Sequence, residues 1–446
     1  MAKLLSIWFS IRASYWFFPA LFAIAGFALA LTMIWVDRNG LSEFLNDVPG
    51  LHPSRPDGAS NMLTVLAGSM IGTAATVFSI TIAAVAYASG NYGPRLLTNF
   101  MEDKGNQLSL ATFIGTFVYA LTVLRTVRSS NEPTFFETSA GLATGFVPQL
   151  SLLVAFALML VSVAVLVFFL HHIPSSIRVN SVLEGIGKRL LHMIDHLFPD
   201  DLVREADLPD LPKKTVVESK STGYVRVINF DELSDCASDH DMHIGLKLRT
   251  GDFVHPGKPM LITDCDEIDD KLASRLRGCF ALGGSRTPEQ DIEFSIDELV
   301  EIALRALSPG INDPFTAVSA IHWLGAATAR LGGRDLRNVI KGDDGISETV
   351  VPLSDDFAHF LRRGFGAARV AVASSKIATL KTFDALADAI YVVEDENRRR
   401  QLREEAVRLL EQATHQQNGP EIEDIRARYR EVVDIFEEMK AEPAAP

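Results

Sequence analysis

Charge is scarce in the first part of this 446-residue chain. Residues 1–174 carry eight Lys or Arg and eight Asp or Glu, against 34 and 48 in residues 175–446, so the whole formal charge of −14 lies in the second part. Neither part has a strong basic block and the pI is near 5.3, which excludes nucleic acid as the main partner because phosphate binding rests on clustered cations. Cysteine is scarce too. Cys236, Cys265 and Cys279 are odd in number and lack paired spacing, which excludes a disulfide framework and fits a reducing compartment. No phosphate loop, nucleophile elbow, paired-cysteine zinc site or H-E-x-x-H motif occurs, so the residues give no footing for an enzyme and call for no cofactor.

What residues 1–174 do contain is four uncharged intervals, each long enough for the roughly 20 helical residues that cross about 30 Å of hydrocarbon. They predict spans at about 15–36, 62–88, 106–125 and 148–170. Lys3 and Arg12 resemble the start of a signal peptide, but the apolar run after them is too long and Asp37-Arg38-Asn39-Gly40 is no small-residue cleavage site, so the first helix is retained. Gly90, Gly93 and Pro94 stop the second span, Pro148 opens the fourth, and His171, His172 and Pro174 mark its exit. Lys3, Arg12, Arg95, Lys104, Arg178, Lys188 and Arg189 flank one side of these spans, and Arg38, Arg55, Arg125 and Arg128 the other. Seven against four puts both termini in the cytoplasm.

The second span has a patterned face. At 100° per residue Ser69, Gly72, Thr73, Thr76, Ser79 and Ala83 share an arc of roughly 120°, with Ile80 the bulky exception inside it, and Met70, Ile71, Val77, Phe78, Ile82 and Val85 lie opposite. Small residues at this spacing serve either close helix packing or a hydroxyl-lined pore at an oligomer axis. No span carries an Asp, Glu, Lys or Arg in its middle, which speaks against driven transport. Arg125 and Arg128, at the outer end of the third span, would form a cationic ring at an outer mouth or snorkel to headgroups. His171 and His172 would sense pH at the inner mouth or anchor the helix at the interface.

Beyond residue 174 the composition predicts an amphipathic helix and acidic linker over 175–213, a small β module over 214–264, a mostly helical part over 265–440 and a tail at 441–446. The short strands and glycine turns are similar to the barrel-sandwich of biotinyl and lipoyl domains. Where those carry a modified lysine, this chain has Asp231 to Asp241 without one, so no swinging cofactor is expected. Cys236, His240 and His243 share one helical face as zinc ligands would, but no fourth ligand stands at ordinary spacing and no metal site is assigned. Ser295 and Glu298 make a capping box that opens a helix, which Pro309 must end. Asp313 then caps, with Pro314 at the first position, a second helix running to Gly332-Gly333. Arg305, Ser308, Pro309, Gly310, Asn312, Asp313, Pro314 and Thr316 in this turn would bind a small polar ligand or cation, or serve only as turn and cap. Four helices follow, at 357–372, 376–393, 397–413 and 421–439.

The run Arg305-Ala306-Leu307-Ser308-Pro309-Gly310-Ile311-Asn312-Asp313-Pro314-Phe315-Thr316-Ala317 resembles a family of predicted bacterial membrane proteins known as domain of unknown function 2254. So do Gly68-Ser69-Met70 and Phe78-Ser79 in the second span, and Ala88-Ser89-Gly90-Asn91-Tyr92-Gly93-Pro94-Arg95 after it. The resemblance covers nearly the whole chain. It implies a multi-pass protein of the bacterial cytoplasmic (inner) membrane with this layout, and no activity or catalytic residues. The expected fold is a polytopic α-helical membrane domain of four transmembrane helices, followed by a cytoplasmic α+β domain with a barrel-sandwich-like module and a helical C-terminal part. The expected partners are the lipid bilayer, further copies of the chain and passing ions. The expected function is a homo-oligomeric passive ion channel with a cytoplasmic regulatory domain; the alternative is a membrane-anchored scaffold or sensor without transport.

Overall fold

The computed structural model describes residues 11, 14–40, 55–93, 103–128, 146–198, 214–336, 341–342, 345–346, 349–353 and 356–441. Lys3, Arg12, Arg95, the acidic linker after Phe198 and the tail after Ala441 lie outside the described residues. The chain forms two compact units, one within residues 10–90 and 94–178 and the other essentially residues 179–446.

The first unit holds four helices long and apolar enough to cross a membrane: α1 (Phe17–Arg38), α2 (Pro56–Tyr92), α3 (Lys104–Leu124) and α4 (Gln149–Ser176). α3 is the central one, with 56 % of its apolar window buried against 17–28 % in the others. Lipid supplies no hydrophobic drive between helices, so close packing by small residues holds such units together. α1 and α3 cross at Gly26 and Gly115: a Cβ on Gly26 would collide with the Gly115 carbonyl oxygen, and one on Gly115 would lie 3.0 Å from the Phe22 carbonyl oxygen. α2 turns the row Leu63, Ala67, Met70, Ala74, Val77 and Thr81 inward. α4 runs past Pro174, which the sequence placed at its exit, and ends two residues later at Ser176.

The second unit begins with α5 (Val179–Leu197), whose apolar face carries Val182, Leu183, Ile186, Leu190 and Ile194 into the core. Two small open sheets follow, and no closed barrel forms among the described residues. β1 (Thr215–Glu218), β5 (Pro259–Thr263), β3 (Ile244–Leu246) and β9 (Val350–Val351) make one, ordered β1-β5-β3-β9, with β3 and β9 parallel. β4 (Phe253–Val254), β2 (Gly223–Ile228) and β6 (Phe280–Gly283) make the other, antiparallel throughout. β6 and β9 come from beyond the stretch whose sequence is β-like. The segment without a lysine is no hairpin tip but α6 (Phe230–Asp239), capped by Asn229; α7 (Asp270–Gly278) leads into β6. β7 (Lys341–Gly342) and β8 (Gly345–Ile346) form a separate ribbon.

The helical part is built on α8 (Ile292–Ala306) and α9 (Pro314–Gly332). A Cβ on Gly187 would run into the Trp323 ring, so this glycine is what lets α5 and α9 approach. α10 (Phe357–Leu361) passes through a π-turn, Arg362–Gly366, into α11 (Ala367–Ala373). α12 (Lys376–Ile390), α13 (Glu396–Gln416) and α14 (Pro420–Ala441) complete the unit.

Candidate functional site

The small-residue arc of α2 faces out of its own four-helix unit. Ser69, Gly72, Thr76 and Ser79 are exposed and Thr73 is half-buried, while the row of larger residues on the other side packs inward. Ser69, Thr76 and Ser79 donate to the carbonyls of Val65, Gly72 and Ala75 at 2.7, 3.0 and 2.8 Å, which satisfies each hydroxyl hydrogen and leaves its lone pairs outward. A Cβ on Gly68 or Gly72 would meet nothing within 4 Å, and neither glycine has a left-handed backbone. Nothing in its own unit calls for glycine at either position. Of the bulky arc, Met70 and Val77 pack inside the unit, but Ile71, Phe78 and Ile82 are exposed flanks.

Polar groups that the composition left unremarked lie inside the unit and tie its helices together. Asp37, in the last turn of α1, accepts from the Leu150 and Ser151 amides of α4 at 3.0 and 2.9 Å and from the Ser151 hydroxyl at 2.7 Å. Pro148, at the cap position of α4, has no side-chain acceptor to offer, so a neighbouring helix supplies the cap. The buried Tyr119 hydroxyl of α3 donates to the Ser151 carbonyl at 2.9 Å, and Thr116 meets Ser162 at 3.1 Å. At the opposite end Asp103 caps α3 through the Asn106 amide (2.9 Å) and pairs with His172 of α4 at 2.9 and 3.0 Å, with Phe168 stacked on the imidazole. His172 therefore joins two helices. Arg125 and Arg128 are exposed just past α3.

In the other unit the signature turn is held by its own side chains. Asp313 caps α9, accepting from the Thr316 amide at 3.2 Å and the Thr316 hydroxyl at 2.6 Å, and Pro314 fills the first position. Ser308 donates to the Arg305 carbonyl at 2.6 Å, the Asp313 amide closes the turn on the Ala306 carbonyl at 2.7 Å, and Asn312 takes a left-handed conformation (φ 49°), which asparagine tolerates. Gly310 has open space around it, and Ile311 and Phe315 are exposed beside it.

The densest charge cluster sits at the start of α8, and it corrects the capping box. Asp291, not Ser295, caps α8, accepting from the Phe294 amide at 3.0 Å, so the helix begins one turn earlier. Ser295 and Glu298 are buried and receive Arg189 of α5 instead. Arg286 grips Asp291 with two bonds (2.7 and 2.8 Å) and reaches Asp297 at 2.5 Å. Arg363, aimed by the π-turn, grips Asp297 (2.7 and 2.8 Å) and Glu293 (2.6 Å), and Glu293 also meets His359 at 2.7 Å and Arg249 at 3.3 Å. Burial alone would raise the Asp297 carboxyl, but Arg363 and Arg286 outweigh it and hold it below the usual carboxylate range.

Cys236, His240 and His243 do not come together as ligands. Cys236 is buried, His240 bonds its carbonyl through Nδ1 at 3.0 Å, and His243 pairs with Asp264 at 2.8 Å. No group of three metal-ligating side chains occurs among the described residues. Burial raises the Cys236 thiol and pushes Cys279 up to about 12, which keeps both protonated near neutrality.

Four apolar helices with internal polar ties, followed by an α+β unit, define a multi-pass membrane protein. The chain belongs to the family "Predicted membrane protein (DUF2254)", whose model matches residues 12–388. It is similar to "Uncharacterized protein Rv1290c" of Mycobacterium tuberculosis and "Uncharacterized protein Mb1321c" of Mycobacterium bovis, 30 % identical to each over 347 residues, or 75 % of this chain and 63 % of each relative. It thus spans less than two thirds of the length of these curated relatives. No solved structure matches it.

Proposed function

We propose that the protein is a homo-oligomer in which the outward faces of α2 meet around an axis and form a passive ion pathway in the bacterial cytoplasmic membrane. The observation that carries this reading is the exposure of Ser69, Gly72, Thr76 and Ser79 on the side of α2 turned away from its packed row. Lipid tails favour bulky apolar surface, whereas glycines with open space above them and hydroxyls with outward lone pairs suit a neighbouring helix or a hydrated ion. On this reading both termini and the second unit are cytoplasmic, and that unit regulates the pathway and catalyses nothing. Arg125 and Arg128 stand at its outer mouth.

A scaffold reading draws on the same hydroxyls, because side chains bonded to their own helix suit a dry helix–helix contact equally well. Ion flux into vesicles reconstituted with the full chain separates the two. Thr76→Phe should abolish flux while oligomer mass is unchanged, and Ile82→Phe, on the exposed flank, should leave both unchanged. Monomeric protein, or an oligomer that passes no ions, would remove the channel reading.

A further inference from the structure

α5 and α9 run side by side in the same direction. A Cβ on Gly187 would run into the Trp323 ring, and farther along both helices Asp195 accepts from Arg330 at 2.7 and 3.1 Å, so equal steps along the two keep them level. Counting back from the first contact reaches Pro314 and the start of α5 together. α8 runs the other way: Arg189 joins its early residues Ser295 and Glu298, and the Asp313 amide ties its end, at Ala306, to the start of α9. The signature turn between α8 and α9 therefore stands at the end of the unit where α5 begins.

That end is where the chain arrives from the membrane. Only Ile177 and Arg178 separate α4, a helix apolar and long enough to span, from α5. Residues 91–93, at and just past the end of α2, also belong to this unit, and a Cβ on Gly93 would collide with the Glu301 carboxylate of α8. The turn is apolar where it is most exposed: Phe315 is 69 % and Ile311 44 % exposed, with Leu304 of α8 at 39 %. Between Leu304 and Phe315 the charged residues are Arg305 and Asp313, and Asp313 turns its oxygens to the Thr316 amide and hydroxyl. Exposed apolar side chains scattered singly over a surface need no partner, but an aliphatic and an aromatic side chain on one hairpin tip, next to the exit of a span, suit the boundary between headgroups and acyl chains.

We propose that the signature turn is a membrane-contact loop: Ile311 and Phe315 enter the headgroup–acyl boundary of the leaflet from which α4 emerges and anchor the second unit there, whether or not α2 lines a pathway. The test uses the full-length protein in phosphatidylcholine nanodiscs, with Cys265→Ser removing the one cysteine that is not buried. A bimane label is placed on Ile311→Cys, Phe315→Cys or Val392→Cys, one at a time. Val392 is the control: it is 52 % exposed at the opposite end of α9, where its carbonyl lies 3.4 Å from a Cβ built on Gly333. Lipid carrying a nitroxide near its headgroup should quench most of the emission at positions 311 and 315 and little at 392, and aqueous iodide should act in the reverse order. Ile311 and Phe315 are both outside the core, so either label decides the matter if the other variant is not recovered. Equal lipid quenching at all three positions would overturn the proposal. So would labels at 311 and 315 shielded from lipid and iodide alike, the result that a second copy seated on the turn would give.

Discussion

The two units use polar side chains in opposite ways. In the membrane unit most hydroxyls bond carbonyls of their own helix, and a few polar side chains join two helices: Asp37 to the start of α4, Asp103 to His172, Thr116 to Ser162. In the other unit they are many and crowd onto one helix, with Asp291, Glu293, Asp297 and Glu298 of α8 drawing in four arginines from four separate segments. The difference follows from the surroundings. Without water a polar group must find its partner inside the protein, so few are kept and each is placed; beside water, charges gather where one helix end can organise them.

The comparison breaks most visibly at the glycine crossing. Gly26→Leu or Gly115→Leu should prevent α1 and α3 from meeting, because the obstacle is backbone rather than a side chain that can swing away. Folded protein recovered by size exclusion should fall to near zero. Gly185→Leu on α5, where an added Cβ meets nothing, should be recovered normally.

Next is the charge cluster. Asp297→Asn leaves Arg363 and Arg286 facing a neutral amide in a largely buried place and should destabilise the second unit by about 3–5 kcal/mol. The same residue gives a pH signature. Its folded-state carboxyl lies below the unfolded value, so the stabilisation is complete above about pH 4, the unfolded carboxylate range, and disappears as pH falls through the lower folded value. Melting from pH 7 to pH 3 should show this acid loss in the wild type and a shallower slope in Asp297→Asn.

Asp37 tests the opposite style with a smaller effect. Asp37→Ala removes the acceptor of two α4 amides and should cost about 1–3 kcal/mol of thermal stability in detergent. Asp37→Asn, with one acceptor oxygen, should fall between. If both variants melt as the wild type does, the tie from α1 to α4 contributes nothing and the glycine crossing carries the unit.

These contrasts also mark what the residues disclosed. The four spans were legible because long uncharged windows leave little alternative, and the strands because glycine turns bound them. The polar ties were not, since Asp37 and Ser151 are 114 positions apart and His172 and Asp103 are 69 apart. Nor was the pairing of β9 with β3, which brings Val350 beside Ile244. The start of α8 lies one turn before the capping box, at Asp291. Ser295 and Glu298 make the better local motif, but Arg189 occupies both, and only the fold shows it. The arc on α2 follows from spacing alone, whereas which side faces its own bundle depends on Leu63, Met70 and Val77 finding partners elsewhere in the chain.

The smallest effect is expected at Asp313, where local sequence and local structure agree. The residue stands before Pro314 and caps α9 through Thr316, so Asp313→Ala should cost about 0.5–2 kcal/mol. Asp313→Asn and Asp313→Ser keep a capping oxygen and should melt within about 0.5 kcal/mol of the wild type if capping is the whole of its task. The turn has features that capping leaves unexplained, among them Gly310 in open space and the exposed Ile311 and Phe315. A wild-type-like melt together with loss of flux in Asp313→Asn would therefore show that this turn works on something outside its own unit. Stability and flux that hold together across all three variants would leave Asp313 a helix cap and nothing more.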